Sequence, residues 1–454
     1  NSGGFRYIRF VVLIVSVFYL AFLQSSVMSF NTAYVVLANE TTSPLYGNYK
    51  LGATIHALES SFDWAPNYLP LSLQRFPLDA VQRSFTFAGS FAGGLLGTFP
   101  MLYVLRRVGA HQTMFVVGVA ASALCALTPL AIAASFELFV GFITAPIFPV
   151  VGTIVEEWAP MHEKGVFVAI LSAFVELDTL FTPPVGSLIA EKINWPTVFY
   201  VQALVNLFFT VAWLYLFRDD PSKHPLITLE EADAIKSGKN RETDARNPPY
   251  RAIFTSLAVW AVLISAIGTI FVGQFMDVFS PQYFTAVLGY SPTIAGSLTI
   301  IPTVALLPLK AITGVFSDKI TTIGEVTKLR LFNSLACFLG AAFFVVVILV
   351  PPSTNSPAAT ALIMIPFILL AGFTTGGFHK SAVMISRQHS AFVYSIVHIF
   401  SMLALITSTF IIPLLTPENT FEQWRIVFII FIAVLVTTNI FFVIFTKAEP
   451  EEWA

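Results

Sequence analysis

Residues 195–225 read WPTVFYVQALVNLFFTVAWLYLFRDDPSKHP, an apolar block that ends abruptly in charge and proline. The block from Trp195 to Phe217 carries no charged residue. A helix that crosses the roughly 30 Å hydrocarbon core of a bilayer needs about 20 such residues. The stretch therefore predicts a membrane-spanning helix that is followed by a polar segment outside the membrane.

Blocks of this kind recur along the whole chain of 454 residues, of which 56% are apolar and 11% are charged. Soluble proteins carry about 25% charged residues. Since lipid offers no partner to an unpaired peptide group, the spans must be helices. The composition predicts an all-α, multi-pass membrane protein in contact with the lipid bilayer, and no nucleic-acid partner is expected.

The apolar blocks predict twelve spans in two halves of six. The predicted bounds are 10–37, 80–105, 112–134, 136–158, 165–190 and 196–217, then 252–280, 288–316, 329–350, 358–386, 390–415 and 422–446. The corresponding domains are a six-helix bundle at 1–217, a cytoplasmic linker with a short helix at 218–251, a second bundle at 252–446, and a tail at 447–454. Because the chain begins at Asn1, we expect the natural protein to start earlier.

Lysine and arginine placement predicts the orientation. With both termini in the cytoplasm, 17 lysines and arginines fall on cytoplasmic segments and 5 on the opposite side. This asymmetry follows the positive-inside rule. The sequon Asn39-Glu40-Thr41 then lies in the first non-cytoplasmic loop, where glycosylation of Asn39 is expected. The plasma membrane or a lysosomal or vesicular membrane is the predicted location.

Other chemistries find no support in the sequence. Cys125 and Cys337 both lie inside predicted spans, so a disulfide framework is not expected. The chain shows no metal cluster, phosphate-binding loop or nucleophile elbow. We therefore predict no cofactor, no metal and no enzyme activity.

Two local patterns predict structural contacts. Thr228-Leu229-Glu230-Glu231 has the form of a capping box before a short helix that runs through Ile235. Gly89, Gly93 and Gly97 in span 2 recur every four residues, a spacing that allows close helix approach. We expect their partner to be span 11.

Six motifs, spread over nearly the whole chain, resemble those of one transporter branch. They are Pro100 with Tyr103, Arg106 and Gly109-Ala110; Trp158-Ala159-Pro160 with Glu163-Lys164; Trp195–Tyr200; Pro221–Pro225 with Glu230-Glu231; Pro281–Phe284 with Gly289-Tyr290; and Glu422–Phe428. Together with twelve spans and a charged central loop, they resemble the anion:cation symporter branch of the major facilitator superfamily. That branch holds the vesicular glutamate transporters, sialin and the type I sodium–phosphate transporters. The resemblance implies two pseudo-symmetric six-helix bundles.

The chain departs from the branch at its anion-binding positions. The family's arginines in spans 1, 4 and 7 correspond to Ser29, Glu137 and Thr269, none of which is cationic. The family's span 4 carboxylate falls near Thr144, and its span 10 pattern is replaced by the segment from His379 to Met384. The chain is therefore a divergent member, and its substrate does not follow from the resemblance.

Charged and titratable residues inside the spans are the main site candidates, because a charge at the bilayer centre costs about 2.5–3.5 kcal/mol. They are Glu176, Asp178, Lys310, His379, Lys380 and His398. A carboxylate and a histidine would serve proton coupling, and Lys310 or Lys380 would contact an anion. Two alternatives are a cytoplasmic gate, in which carboxylates of one half pair with lysines of the other, and exposure to a wet vestibule.

Two further groups complete the candidates. Gln24, Ser25, Ser29 and Thr32 form a stripe on span 1 that predicts a hydrogen-bonding substrate wall, unless the hydroxyls bond back to their own helix. Arg83, Glu137 and Asp277 lie near the predicted outer ends, either as an outer gate or in the solvated interface.

These features predict a secondary active transporter that works by alternating access. It would move a small organic anion or polar solute, coupled to protons or sodium. The alternative is a non-transporting accessory subunit or receptor that partners another membrane protein.

Overall fold

The computed structural model describes residues 7–38, 70–76, 78–130, 134–160, 167, 170–171, 173–236, 249–319, 322–350, 352–386 and 389–453. Within these ranges every regular element is a helix. The predicted glycosylation site at Asn39 lies outside the described residues, as do Glu163 and Lys164.

The first six spans begin and end within a few residues of their predicted bounds, except that the α-helix of span 3 ends at Leu127 and the described helix of span 5 begins at Phe174. They are Ile8–Leu37, Ala80–Val108, Ala110–Leu127, Ala134–Thr144 with Ile147–Trp158, Phe174–Lys192 and Trp195–Leu216. Span 4 is interrupted at Pro146, which lacks the amide hydrogen that an uninterrupted helix would use. Asn194 caps span 6 through a bond from the Thr197 amide, followed by proline in the first turn.

The last six spans are more often interrupted. Their helical segments are Leu257–Gln274 with Ser280–Ala286, Pro292–Leu298 with Ile300–Lys319, Glu325–Ser334 with Gly340–Leu349, Pro357–Phe373 with Phe378–Ser386, Ser390–Leu415, and Phe421–Phe445. Spans 7 and 9 contain π-helical turns at Phe275–Phe279 and Leu335–Leu339. Span 10 narrows to a 3₁₀ turn at Thr374–Gly376. These interruptions place irregular backbone at membrane depth, where protein must surround it.

Eleven helices in the described part of the chain are long and apolar enough to cross a membrane. They correspond to every predicted span except span 5. Span 5 is helical over 19 residues, but it carries Glu176, Asp178, Glu191 and Lys192. The charges that make span 5 a weak membrane helix by composition also make it a candidate for function.

Contacts divide the chain into two compact units. Unit 1 comprises residues 1–78 and 89–244, and unit 2 comprises residues 79–88 and 245–454. In unit 1, span 1 packs against spans 5 and 6, and span 3 packs against span 6. In unit 2, span 7 packs against spans 11 and 12, and span 9 packs against span 12. Each of these pairs recurs six spans later, as an internal duplication requires.

A buried asparagine on the last span of each unit reinforces this repeat. Asn206 of span 6 donates to the Ser122 hydroxyl of span 3 at 3.1 Å. Asn439 of span 12 accepts from Asn333 of span 9 at 2.9 Å and donates to Ser334 at 3.1 Å. Both asparagines are fully buried. Interhelical amide bonds of this kind hold spans together where lipid gives no hydrophobic driving force.

Gly93 and Gly97 of span 2 pack against span 4, so the predicted partner, span 11, is wrong for these two glycines. A Cβ placed on Gly93 would overlap the carbonyl oxygen of Leu138, and one on Gly97 would overlap that of Phe142. On the facing helix, a Cβ on Gly141 would overlap the carbonyl oxygen of Ser90. The spacing correctly predicts close approach, but it does not encode the partner.

Residues at the ends of spans 2, 4 and 6 join helix ends within unit 1. The Trp158 indole donates to the Arg218 carbonyl at 2.8 Å and meets the His224 ring edge-on at 5.7 Å. Asp219 accepts from the His111 amide at 2.9 Å, which caps the start of span 3. Gly109 precedes that start with φ +94°, and its Cα faces the Asp219 carboxylate. These contacts tie spans 3, 4 and 6 together at the predicted cytoplasmic end.

The linker helix Leu229–Lys236 forms only part of the predicted capping box. Thr228 accepts from the Glu231 amide at 3.3 Å, as a cap should. The Glu231 carboxylate instead accepts from the backbone amides of Ile8 and Arg9, both at 3.2 Å. It also pairs with the Arg9 guanidinium at 3.3 Å. The start of span 1 has unsatisfied amides and a partial positive charge, which attract this carboxylate.

Replacing Glu231 by glutamine should therefore destabilise unit 1 by about 1–3 kcal/mol, the usual cost of disrupting a buried hydrogen bond to a charged group. Thermal unfolding of the purified protein in detergent measures this. Glu230→Gln is the matched control, because Glu230 is the exposed neighbour on the same helix. Equal melting temperatures for the two variants would show that Glu231 does not anchor span 1.

Candidate functional site

A buried polar network joins three spans of unit 1. Asp178 of span 5 accepts from the Thr182 hydroxyl at 2.5 Å. The Thr182 hydroxyl is hydrogen bonded to the Ser25 hydroxyl of span 1, which also lies 3.0 Å from Gln202 Oε1 of span 6. The Gln202 amide nitrogen donates to the Phe22 carbonyl at 2.7 Å. Asp178 is only 4% exposed, so the network surrounds a carboxyl group within the membrane-spanning part of the protein.

The other members of the span 1 stripe have different partners. Ser29 donates to the Ser26 carbonyl at 3.1 Å, and Thr32 donates to the Met28 carbonyl at 3.3 Å. Gln24 is half-buried. The alternative of bonding back to the same helix thus describes Ser29 and Thr32, whereas Ser25 reaches across to spans 5 and 6. Glu176, two residues before Asp178, is half-buried.

Three cationic or titratable candidates come together in unit 2, around the interruption of span 10. His379 and Lys380 lie in the first turn of the segment Phe378–Ser386. The positive charge of Lys310, on span 8, lies within electrostatic reach of the His379 ring. Tyr394 of span 11 stacks on that ring at 6.3 Å and donates to the His379 carbonyl at 3.0 Å. A helix start carries partial positive charge, so the backbone adds to the field of the side chains.

Lys380 shares a carboxylate with a second lysine. Glu325 at the start of span 9 lies 3.4 Å from the Lys380 ammonium and 2.5 Å from that of Lys328. Lys328 belongs to the segments that lysine and arginine placement predicts as cytoplasmic, and its side chain is 3% exposed. The described contacts thus place two ammonium groups around one carboxylate.

The remaining candidates are His398, Glu137, Asp277 and Arg83. His398 is half-buried on span 11. Glu137 is buried in the first turn of span 4, and Asp277 is exposed on the π-helical turn of span 7. The Arg83 guanidinium donates to the carbonyls of Pro413 at 2.7 Å and Thr416 at 2.5 Å. Arg83 therefore satisfies carbonyls at the end of span 11, where helical partners are lacking.

Two titratable groups outside the spans have shifted pKa values. Burial lowers the pKa of Arg75 to about 10, and its guanidinium donates to the carbonyls of Ser72 and Gln74. Burial is the main cause that lowers the pKa of His224, with a smaller contribution from Arg218. Both groups serve local structure: Arg75 orders the segment before span 2, and His224 contacts the Leu216 carbonyl at 3.1 Å.

Sequence reasoning missed Thr182, Gln202 and Glu325. Gln202 carried a usable signal, because Gln202, Asn206 and Thr210 recur every four residues in an otherwise apolar span, and all three are buried. Such a stripe on a membrane helix faces protein rather than lipid. The predicted start of span 9 at residue 329 leaves Glu325 in a loop, whereas the helix begins at Glu325 itself.

Comparison with known proteins identifies the family to which this chain belongs. Residues 13–386 match the model of the Major Facilitator Superfamily, so the chain belongs to that superfamily. Its members are solute transporters and not enzymes. The chain is therefore a multi-pass membrane protein that transports a solute.

Curated relatives confirm the predicted branch. Sheep (Ovis aries) sialin is 25% identical over 87% of this chain and 82% of its own length. Sodium-dependent phosphate transport protein 3 of Mus musculus is 22% identical over 100% of this chain and 97% of its own. Vesicular glutamate transporter 1 of Xenopus laevis is 22% identical over 88% of this chain and 72% of its own.

Solved structures confirm the predicted fold. The inward-facing, occupied structure of a bacterial homologue of the human lysosomal transporter Spinster matches with a TM-score of 0.67 at 14% identity, over 97% of both chains. The D-xylose–proton symporter matches with a TM-score of 0.64 at 16% identity, over 96% of this chain and 98% of its own. The twelve-helix major facilitator fold predicted from the sequence is therefore correct.

Proposed function

We propose that this protein is a secondary active transporter that moves a small organic anion by alternating access, coupled to protons through Asp178. Each of its two units supplies one part of this function. Unit 1 supplies the network around Asp178, and unit 2 supplies the cationic cluster around span 10.

The number of hydrogens available to the unit 1 network is the main support for proton coupling through Asp178. Because Gln202 donates to the Phe22 carbonyl, its Oε1 faces Ser25 and accepts. The series Asp178–Thr182–Ser25–Gln202 then contains three hydrogen bonds, but Thr182 and Ser25 supply only two hydroxyl hydrogens. A proton on Asp178 would provide the third: the protonated carboxyl then donates to Thr182, Thr182 to Ser25 and Ser25 to Gln202, so the Asp178–Thr182 bond runs opposite to its direction with an ionised carboxylate.

Loss of that proton changes the bonding between spans. The ionised Asp178 accepts from Thr182, and Thr182 accepts from Ser25, so the contact between Ser25 and Gln202 loses its hydrogen. Proton binding thus alters how span 1 is bonded to span 6. A bond that exists in one protonation state alone can bias one conformation over another, which is what coupling requires.

The cluster in unit 2 favours an anionic solute. Lys328 and Lys380 place two ammonium groups around Glu325, Lys310 adds a third cationic side chain on span 8, and the start of Phe378–Ser386 adds partial positive charge. A carboxylate inside a low-dielectric cavity needs such cations or donors. Sialin and the vesicular glutamate and sodium-dependent phosphate transporters are named relatives, which supports an anion as the class of solute.

Uptake into proteoliposomes tests this function. We expect one or more of sialic acid, glutamate and inorganic phosphate, or another small carboxylate in the panel, to accumulate when a pH gradient is imposed. We expect Lys310→Gln to reduce the apparent affinity roughly 10-fold, the equivalent of about 1.4 kcal/mol. Accumulation driven only by a sodium gradient would overturn proton coupling, and saturable uptake of neutral solutes alone would overturn the anion assignment. If no solute moved and the protein purified in fixed ratio with another membrane protein, the accessory role would replace transport.

A further inference from the structure

A cavity of about 240 Å³ opens between spans 5 and 6 of unit 1, over span 1. Its lining consists of apolar residues of the three spans and four polar ones, Ser25, Ser29, Thr182 and Gln202. The hydrogen-bonded group of Ser25, Thr182 and Gln202 is called the floor below. All twelve lining residues are uncharged. The cavity therefore lies beside the Asp178 network but is distinct from the cationic cluster of unit 2.

The rim of the cavity is apolar and exposed. Phe181 and Val185 of span 5 are 40% and 47% exposed, and Val201 and Val205 of span 6 are half-buried opposite them. Apolar rims on membrane helices meet acyl chains more favourably than water. A ligand would therefore enter from the bilayer.

Gln202 in the floor can donate one more hydrogen bond and accept one more. Gln202 has two amide hydrogens and two carbonyl lone pairs, and the described bonds use one of each. The remaining donor and acceptor match a hydroxyl group, which can accept one bond and donate one. An anionic group would find no cation among the lining residues, and burying it unpaired is costly.

We infer that this cavity binds the polar end of a neutral, membrane-dissolved amphiphile, with its hydroxyl on Gln202 and its apolar body between Phe181 and Val205. Small-molecule pockets hold roughly 300–1,000 Å³. The cavity of 240 Å³ is smaller, so it fits the inserted end of such a molecule rather than the whole molecule. Because Ser25 and Thr182 belong to both the floor and the Asp178 network, occupancy adjusts the same bonds that the proton adjusts.

Photolabelling tests this site without any measurement of transport, so its outcome is separate from that of the proposed function. The probe is a long-chain primary alcohol that carries a diazirine, and the matched fatty acid of equal chain length serves as competitor. We expect saturable labelling of peptides that cover residues 181–189 and 198–205, which the unlabelled alcohol competes and the carboxylate does not. Labelling that does not saturate, or that the carboxylate competes equally well, would overturn the inference.

Two tryptophan variants on span 6 test whether the label binds in this cavity. Val201→Trp fills the cavity and should reduce labelling at least fivefold, whereas Leu204→Trp should leave it unchanged. Leu204 lies on the same helix, is 68% exposed and does not line the cavity. Equal labelling of wild type and Val201→Trp would contradict the site. If Val201→Trp does not fold, the competition experiment on the wild-type protein decides alone.

Discussion

Replacing Asp178 by asparagine should abolish accumulation driven by a pH gradient, with a fall of roughly 10–100-fold in the initial rate. The size of this fall follows from the bond that Thr182 donates to the ionised Asp178 and that the variant lacks. Hydrogen bonds to charged groups are worth about 1.5–3 kcal/mol. The asparagine amide donates to Thr182 as a protonated carboxyl would, so the network to Gln202 stays complete. The asparagine amide cannot ionise, so the network remains bonded as it is when Asp178 is protonated.

Solute exchange separates this effect from misfolding. Asp178→Asn should still exchange internal for external solute at a rate close to that of the wild type, because exchange needs no net proton movement. Glu176→Gln is the matched control, since Glu176 lies two residues away on the same helix and is only half-buried. Normal accumulation by Asp178→Asn at an imposed pH gradient would remove Asp178 from the coupling mechanism.

Replacing Gly93 by alanine should strongly destabilise unit 1, although it adds only a single methyl group. The new Cβ overlaps the Leu138 carbonyl, which belongs to the backbone of a neighbouring helix and cannot move alone. Overpacking typically costs 1–3 kcal/mol, and contact with backbone favours the upper part of that range. We expect the melting temperature to fall by about 5 °C or more.

The adjacent glycine provides the control. A Cβ on Gly94 has its nearest neighbour at 3.8 Å, the carbonyl oxygen of Gly141, which is ordinary contact. Since alanine is favoured over glycine in a helix by about 1 kcal/mol, Gly94→Ala should be neutral or stabilising. If both variants melt at the same temperature, spans 2 and 4 are not packed backbone to backbone at Gly93.

The sequence predicts the spans well because the bilayer imposes a length and a polarity on each of them. Most of the observed helices begin and end within a few residues of the predicted bounds, and Pro146 interrupts span 4 as its missing amide hydrogen requires. The six motifs predict the fold and the branch for a related reason. Trp158, Asp219 and Gly109 satisfy helix ends, and those contacts depend on the scaffold and not on the solute.

The site could be predicted only in part, because partners in space do not follow from spacing along one chain. Ser25 and Ser29 lie on the same stripe, yet Ser25 bonds to span 5 and Ser29 bonds to its own helix. Glu231 fits a capping box, but the unsatisfied amides of span 1 attract its carboxylate more strongly. The glycine spacing on span 2 likewise predicts close helix approach, but it does not predict that span 4 is the partner.

Solute counterflow is the most direct test of the central claim, that this protein moves an anion by alternating access. Proteoliposomes are loaded with an unlabelled anion that the uptake panel identifies and are diluted, without any ion gradient, into a trace of the labelled anion. We expect a transient accumulation of label above the equilibrium level, because a carrier returns to the outside already loaded. Label that rises slowly to equilibrium without an overshoot, as in liposomes without protein, would contradict transport by alternating access.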